Sequence, residues 1–469
     1  MTAKPFPSGA VLLALIALAL LLHALVLGLS FFSDDFSVIH RIGVQGDLGT
    51  GSFFRPLPDW TLYLNYLLAG PTPWAFRIVN VVLLGINGWL VYKLGRRLLP
   101  DGGNARWSTT LIAAVLFVCY PFHNEPQLWI IGRSTAMATM FTLLALVVAT
   151  SRASMINKCI MVGLCGALGA LCYELALLLP LLLAVLALAA PKTERRTWWA
   201  MVLVTAAVAG SNLFLRSLFT GSVANEYGAS FFSHSLVSYF GMAAKVFARL
   251  FLPPNPDTNL QALLIAALGL ALAVVAYFLH RRTKNEPANQ KLLVALALMV
   301  AIACMIGIIG GVSTRTSESD RFLYLPSAFL CLLLSFAISA LVKRMARIAV
   351  IGVLVVLSLA AVRSNHVHWI EASLKIASII EATPEPPANA RLLVHGLPGD
   401  AQGAFIFRHG YREALDFNGR DASRIRVVPE GPHSIWEFLR TETGDTLHRN
   451  ANDRWFDAGM AAVNASSAP

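Results

Sequence analysis

The residues of this 469-residue chain that could do chemistry stand where its apolar runs end. Asp34 and Asp35, in FFSDDFSVIH, follow directly on the first such run. His123, Glu125 and Arg133 lie in PFHNEPQLWIIGRS, Glu174 in CYEL between two apolar runs, and Arg315, Glu318, Asp320, Arg321 and Tyr324 in STRTSESDRFLYLPS. Arg55 and Arg77 belong to the first long polar segment. A positioned carboxylate can take a proton from an attacking group, and a guanidinium holds phosphate through a planar fork. Acids and arginines gathered in one cavity therefore suit an anionic lipid substrate. For Glu174, which has almost no loop in which to leave the membrane, structural pairing with an arginine is the plain alternative.

The elements that position these residues are helices. The chain is 56% hydrophobic and 13% charged, with a mean hydropathy of +0.63, far from a soluble globular composition. About 20 apolar residues cross the hydrocarbon. That rule predicts about eleven spans, near 9–30, 75–95, 107–122, 134–150, 157–173, 175–190, 197–216, 259–279, 292–312, 322–342 and 347–363. The first run lacks a small-residue cleavage site before Asp34 and is expected to be retained. Alternating from a cytoplasmic N-terminus, every inner loop is basic (Lys93, Arg96, Arg97 and Arg106, for example), as the positive-inside rule requires. Most acids then fall outside. The net charge of +11 is accounted for by those loops, which excludes a nucleic-acid partner. All six cysteines sit within or beside spans and read as packing residues, not disulfides.

Three outer segments exceed simple turns. Segment 31–74 is apolar enough to lie in the interface as short helices. Within 217–258, Leu236, Phe240, Ala243, Phe247 and Phe251 share a helical face opposite Ser238, Lys245 and Arg249, the pattern of an interfacial helix whose basic face meets lipid phosphates. From residue 364 the composition changes. PEPPANA reads as a linker, and RLLVHGLP, GAFIFRHG and RIRVVPE read as strands of a small soluble α/β domain that ends in the tail NASSAP. The expected organisation is a membrane domain over 1–363, with outer loops 31–74 and 217–258, and a linker with a small periplasmic domain over 364–469.

Four ordered blocks carry a family resemblance: FRPLPDWTLYLNYLLAGPTPWAFRIVNVVLL, PFHNEPQLWIIGRSTAMATMFTLLAL, DRFLYLPSAFLCLLL and RSNHVHWIEASL. Over roughly residues 10–380 they resemble the membrane part of the transmembrane-and-TPR O-mannosyltransferases, within the GT-C class of integral membrane glycosyltransferases. The resemblance implies a GT-C-like all-α fold, a polyprenyl-phosphate-linked sugar donor, and a catalytic base at the acidic pair Asp34 and Asp35, with the first member as the usual base. It aligns Arg55 and Pro56 with an Arg-Pro of the first loop and Asn80 with an Asn of the second span. His123, Glu125, Gly132 and Arg133 match a His, Glu and Gly-Arg, Glu174 matches a Glu before the sixth span, and Arg321 and Tyr324 fall in an Arg-x-Leu-Tyr-Leu-Pro block. Thr135, Arg77, Tyr173 and Asp320 depart from the usual acid, His, Lys and Glu, and the TPR repeats are missing from the resemblance.

The implied activity is transfer of a monosaccharide from a polyprenyl phosphate to a periplasmic acceptor (protein, lipid or polysaccharide) at a bacterial inner membrane. Asp34 and Asp35 are the expected catalytic residues, and Arg55, Asn80, His123, Glu125, Arg133, Glu174, Asp320, Arg321 and Tyr324 the expected substrate-binding set. No tightly bound cofactor is expected, and a divalent metal is left open. The rival is a transporter or flippase for an anionic lipid-linked or solute cargo. No internal inverted repeat supports it, and the acids gather at one level of the membrane.

Overall fold

The structure is a computed structural model that describes residues 7–49, 53–99, 104–221, 235–341, 344–386, 390–428, 434–440 and 446–451. Among the described residues eight helices are long and apolar enough to cross a membrane. Three shorter apolar helices, Trp107–Val118, Met155–Ala170 and Glu174–Ala189, occupy the remaining expected stretches. The 16-residue helix Met155–Ala170 rises about 24 Å, less than a hydrocarbon core of about 30 Å. It leans on its neighbours instead of spanning alone. The membrane part of the chain is multi-pass and all-α.

Packing follows from small residues at chosen points. Helix α1 (Ser8–His23) is apolar all round and lies against α4 (Pro73–Leu98). A Cβ on Gly85 of α4 would stand 2.6 Å from the Ile16 Cα of α1, so the two backbones touch only because that position carries no side chain. Helix Ile130–Ala149 is 72% buried and Asp320–Ala340 78% buried, which makes them the centre of the bundle. In Thr258–Thr283 and Ala346–Ala382 the most apolar 18-residue stretch is only 6% buried, and these stretches form its exposed rim.

Beyond the bundle, a helix crosses the expected boundary at residue 364. One continuous helix runs Arg344–Ala382, and its far half buries Trp369, Ala372, Ile376 and Ile379 in a second core. That core also holds Phe31, Phe32, Phe36 and Ile39 from the first outer segment and Leu392, Phe405, Phe407 and Leu415 from the C-terminal part. The C-terminal part contains a four-stranded sheet of order β4-β1-β5-β6 (β1 Ala390–His395, β4 Ile425–Val428, β5 Ser434–Arg440, β6 Thr446–Ala451), with β1 and β4 parallel and the other pairs antiparallel. GAFIFRHG is not one of its strands. Only Ala404–Phe405 pairs there, in a short hairpin with Asp400–Ala401, and the rest docks on the membrane part. The tail NASSAP lies outside the described residues, as does part of segment 217–258.

In the helix Leu236–Arg249 the expected apolar face is divided: Leu236 and Phe240 are 78% and 77% exposed, whereas Phe247 packs against the core. Of its basic residues Lys245 is exposed, while Arg249, 1% exposed, turns inward to Asp320.

Gly85→Val should lower thermal stability by about 1–3 kcal/mol, the usual cost of overpacking. Thermal unfolding of the purified protein in one detergent checks this. An unchanged midpoint would show that α1 and α4 separate without cost.

Candidate functional site

The polar residues converge at one end of the bundle, and the first structural demand there is the exit of α1. The carbonyls after its last turn have no helical partner. Arg77, fully buried on α4, supplies the donors: Nε to the Leu128 carbonyl at 2.9 Å, Nη1 to the carbonyls of Leu27 (3.2 Å) and Leu29, and Nη2 to that of Ser30. The residue that departs from the family pattern thus fastens the turn delivering the acidic pair.

That turn leads into α2 (Asp34–Ile39), and its two aspartates diverge as adjacent side chains must. Asp35 is fully buried. Its Oδ2 accepts from the N–H groups of Phe32 (3.1 Å) and Ile130 (3.3 Å), and its Oδ1 from that of Ile131 (3.0 Å). Burial pushes its carboxyl up to about 7, with Arg77 and the three N–H groups pulling the other way. Asp34 is half-buried, and among the described residues its carboxylate meets one donor, the Ser33 hydroxyl at 3.4 Å. It is the more exposed acid of the pair.

Ser33 itself has φ 43°, a left-handed value that a non-glycine residue holds only when its surroundings impose it. The imposing groups come from the C-terminal part. Ser33 N–H donates to the Ile406 carbonyl at 2.9 Å, and His409 N–H donates to Ser33 Oγ at 3.2 Å. Gly410, at φ +80°, lies so close that a Cβ there would be 2.5 Å from the Ser33 carbonyl oxygen. Arg408 pins the same loop to Glu318 at 2.5 Å and Asp400 at 2.9 Å.

The other expected residues separate into two groups. Arg133 is fully buried and occupied, its donors reaching Asn80 Oδ1 (2.8 Å), Asn65 Oδ1 (2.6 Å) and the Phe76 carbonyl (2.9 Å), while Asn80 Nδ2 bonds the carbonyls of Pro126 and Ile130 at 3.0 Å. Both brace the 126–133 turn against α4, so neither stands free for a phosphate. Tyr324 is buried with its hydroxyl on Asn87 Nδ2 at 3.2 Å. His123 is buried against it with ring centroids 4.7 Å apart, its Nδ1 on Ser327 Oγ at 2.9 Å. Burial pushes the His123 imidazole down to about 3, so it brings no charge to a ligand at neutral pH. Asp320 pairs with Arg249 at 2.5 Å, both about 1% exposed. These five residues are all buried, and each is engaged with a neighbouring element of the bundle.

The second group keeps an edge toward solvent. Glu125 pairs with Arg321, whose side chain remains 15% exposed. Glu174 takes two arginines, Arg55 at 2.9 Å and Arg216 at 2.9 Å, and Arg55 also lies 4.3 Å over the Tyr173 ring. Two guanidinium groups on one carboxylate leave a net positive charge, and Arg55 is 21% exposed. The sequence reading missed Arg216 and Arg249 as partners. Arg216, inside an apolar run, was a signal in itself, because an arginine at membrane depth requires an acid. Among the described residues no cluster of three or more His, Cys, Asp or Glu is arranged to hold a metal ion.

This bundle, with its charges collected at one end beside an acidic turn, defines a GT-C-like membrane protein. Residues 55–215 match the family model described as dolichyl-phosphate-mannose-protein mannosyltransferase. The protein O-mannosyl-transferase TMTC2 of Mus musculus is 34% identical over 98 residues, 21% of this chain and 11% of that relative. Its counterpart in Xenopus laevis is 37% identical over the same length and shares. The match thus spans about a tenth of these relatives. The cryo-EM structure of the arabinofuranosyltransferase AftD from Mycobacteria superposes with a TM-score of 0.50 at 17% identity, covering 88% of this chain and 31% of that one. That likeness is one of fold.

Two outcomes follow from the geometry. Gly410→Ala should loosen the C-terminal part from the acidic turn and cost about 1–3 kcal/mol, seen as faster limited proteolysis after residue 383; an unchanged digestion pattern would show that the loop adapts freely. Asp35 has a folded-state value above its ordinary 3.8, so the stability it contributes is present at low pH and lost as pH rises through about 7. The gap in thermal midpoint between wild type and Asp35→Asn should therefore shrink between about pH 4 and about pH 8. A gap that widens would mean a carboxylate held charged throughout.

Proposed function

We propose that the protein is a glycosyltransferase that moves one monosaccharide from a polyprenyl-phosphate carrier to an acceptor hydroxyl, with Asp34 as general base. The observation that carries this reading is the division of labour within the acidic pair. Asp35 is spent on three backbone N–H groups, while Asp34, beside it, keeps its carboxylate at an accessible edge. The family description, with its dolichyl-phosphate-mannose donor, supports the carrier class.

In the step proposed, the acceptor hydroxyl attacks the anomeric carbon while Asp34 takes its proton. The bond from that carbon to the phosphate oxygen breaks, and the electron pair leaves with the lipid phosphate. Phosphate needs little besides charge stabilisation. Arg55 meets that need best, because Arg216 shares its carboxylate and its guanidinium edge is open. Arg321 is the second candidate, with Glu125 holding its other edge. The donor site expected at Arg133 therefore moves to Arg55. On this reading the acidic end faces the periplasm of a bacterial inner membrane, and the basic loops at the other end support its facing away from the cytoplasm.

With purified protein and a panel of polyprenyl-phosphate monosaccharides, Asp34→Asn should lower transfer by about 10²–10⁴-fold, the usual span for a lost general base, while the variant still inserts and binds donor. Asp35→Asn should act mainly through stability. Full transfer by Asp34→Asn would remove Asp34 from the chemistry. Donor binding without any turnover in the wild type would favour transport of the same cargo.

A further inference from the structure

The end of the bundle opposite Asp34 contains a cavity of ≈ 970 Å³ that the reaction does not use. Helix α4 shows the separation. Arg77 binds the acidic turn near its start, while Arg97 and Leu98 line this cavity at its close, some 30 Å apart at 1.5 Å per residue. The cavity is formed where the ends of six helices splay apart, those ending at Leu98, Ala149 and Ala189 and those starting at Met155, Arg195 and Pro287.

Its walls have two chemistries. Arg97, Arg152, Lys158 and Lys291 come from four separate elements, against a single acid, Glu194. Among the described residues none of the four cations is engaged in an ion pair. Deeper in, the lining is Leu98, Leu292 and the buried Trp198. The positive-inside rule accounts for cations in these loops, but not for their convergence on one large cavity with an apolar interior. We propose that this cavity is a binding site for the phosphate headgroup of an anionic phospholipid of the adjoining leaflet. The cations would hold the headgroup, and the apolar wall would take the start of an acyl chain. Basic pockets between transmembrane helices recognise such headgroups. The site is independent of the transfer reaction.

The experiment is native mass spectrometry and thermal unfolding of the purified full-length chain, with cardiolipin, phosphatidylglycerol, phosphatidylcholine and inorganic pyrophosphate as separate probes. Cardiolipin and phosphatidylglycerol should be retained in preference to phosphatidylcholine and should raise the unfolding midpoint. The double variant Arg152→Ala/Lys158→Ala should weaken cardiolipin retention by roughly thirty-fold, from the usual worth of two basic residues near an anionic headgroup. The charge-keeping Arg152→Lys should retain it. Lys291→Ala, an exposed position on a different helix, provides the same readout should the double variant fail to fold. Equal retention of phosphatidylcholine, or unchanged cardiolipin binding in the variants, would reduce the cations to topological signals and overturn the proposal. Pyrophosphate binding without lipid preference would assign the site to a soluble phosphate and overturn the lipid.

Discussion

The structure depends first on what happens to the backbone when the opening helix ends inside an apolar setting. Unpaired carbonyls there must find donors, and Arg77 provides them through one buried guanidinium. Placing a cation so deep would be unfavourable by itself. It is offset by the carbonyl dipoles and by the carboxylate of Asp35 nearby. Arg77 and Asp35 thereby fix both sides of the same turn, one from the carbonyl side and one from the N–H side. The direction of Asp34 is a by-product of that arrangement.

A second level of order lies in how the other charges are disposed. Asp320 with Arg249, and Arg133 with Asn80, are buried pairs that close seams between packed elements. The Glu174 trio and the Glu125 pair are built from the same residue types but retain an open edge. Breaking a closed pair leaves a buried charge without a partner and costs stability. Altering an open one changes what can be bound. Chemical identity alone does not distinguish the two groups; exposure does.

This explains what could be read from the sequence. The spans and the gathering of acids at their ends were legible, because hydropathy and charge are properties of contiguous residues. The acidic turn was legible for the same reason, since Asp34 and Asp35 close a long apolar run. The engagement of Arg133 was not legible, because its partners Asn65 and Asn80 come from two other helices, and nothing in GRST announces where its guanidinium bonds. GAFIFRHG alternates like a strand, yet its hydrogen bonds reach back to Ser33, 376 residues earlier in the case of His409. Lys245 and Arg249 looked equivalent on a helical wheel. Only the position of Asp320 turns Arg249 inward.

The 39-residue helix Arg344–Ala382 is about 58 Å long, roughly twice the thickness of the hydrocarbon. It acts as a mast standing out of the bilayer, and the chain at its top turns back to grip the foot of the first helix through Ile406, His409 and Gly410. Mast, sheet and first turn thus form a closed mechanical circuit. A change in the tilt of the mast would therefore be felt at the first turn through Ile406, His409 and Gly410. The carboxylate of Asp34 is held in a frame whose geometry is set as much by the bilayer as by the bundle.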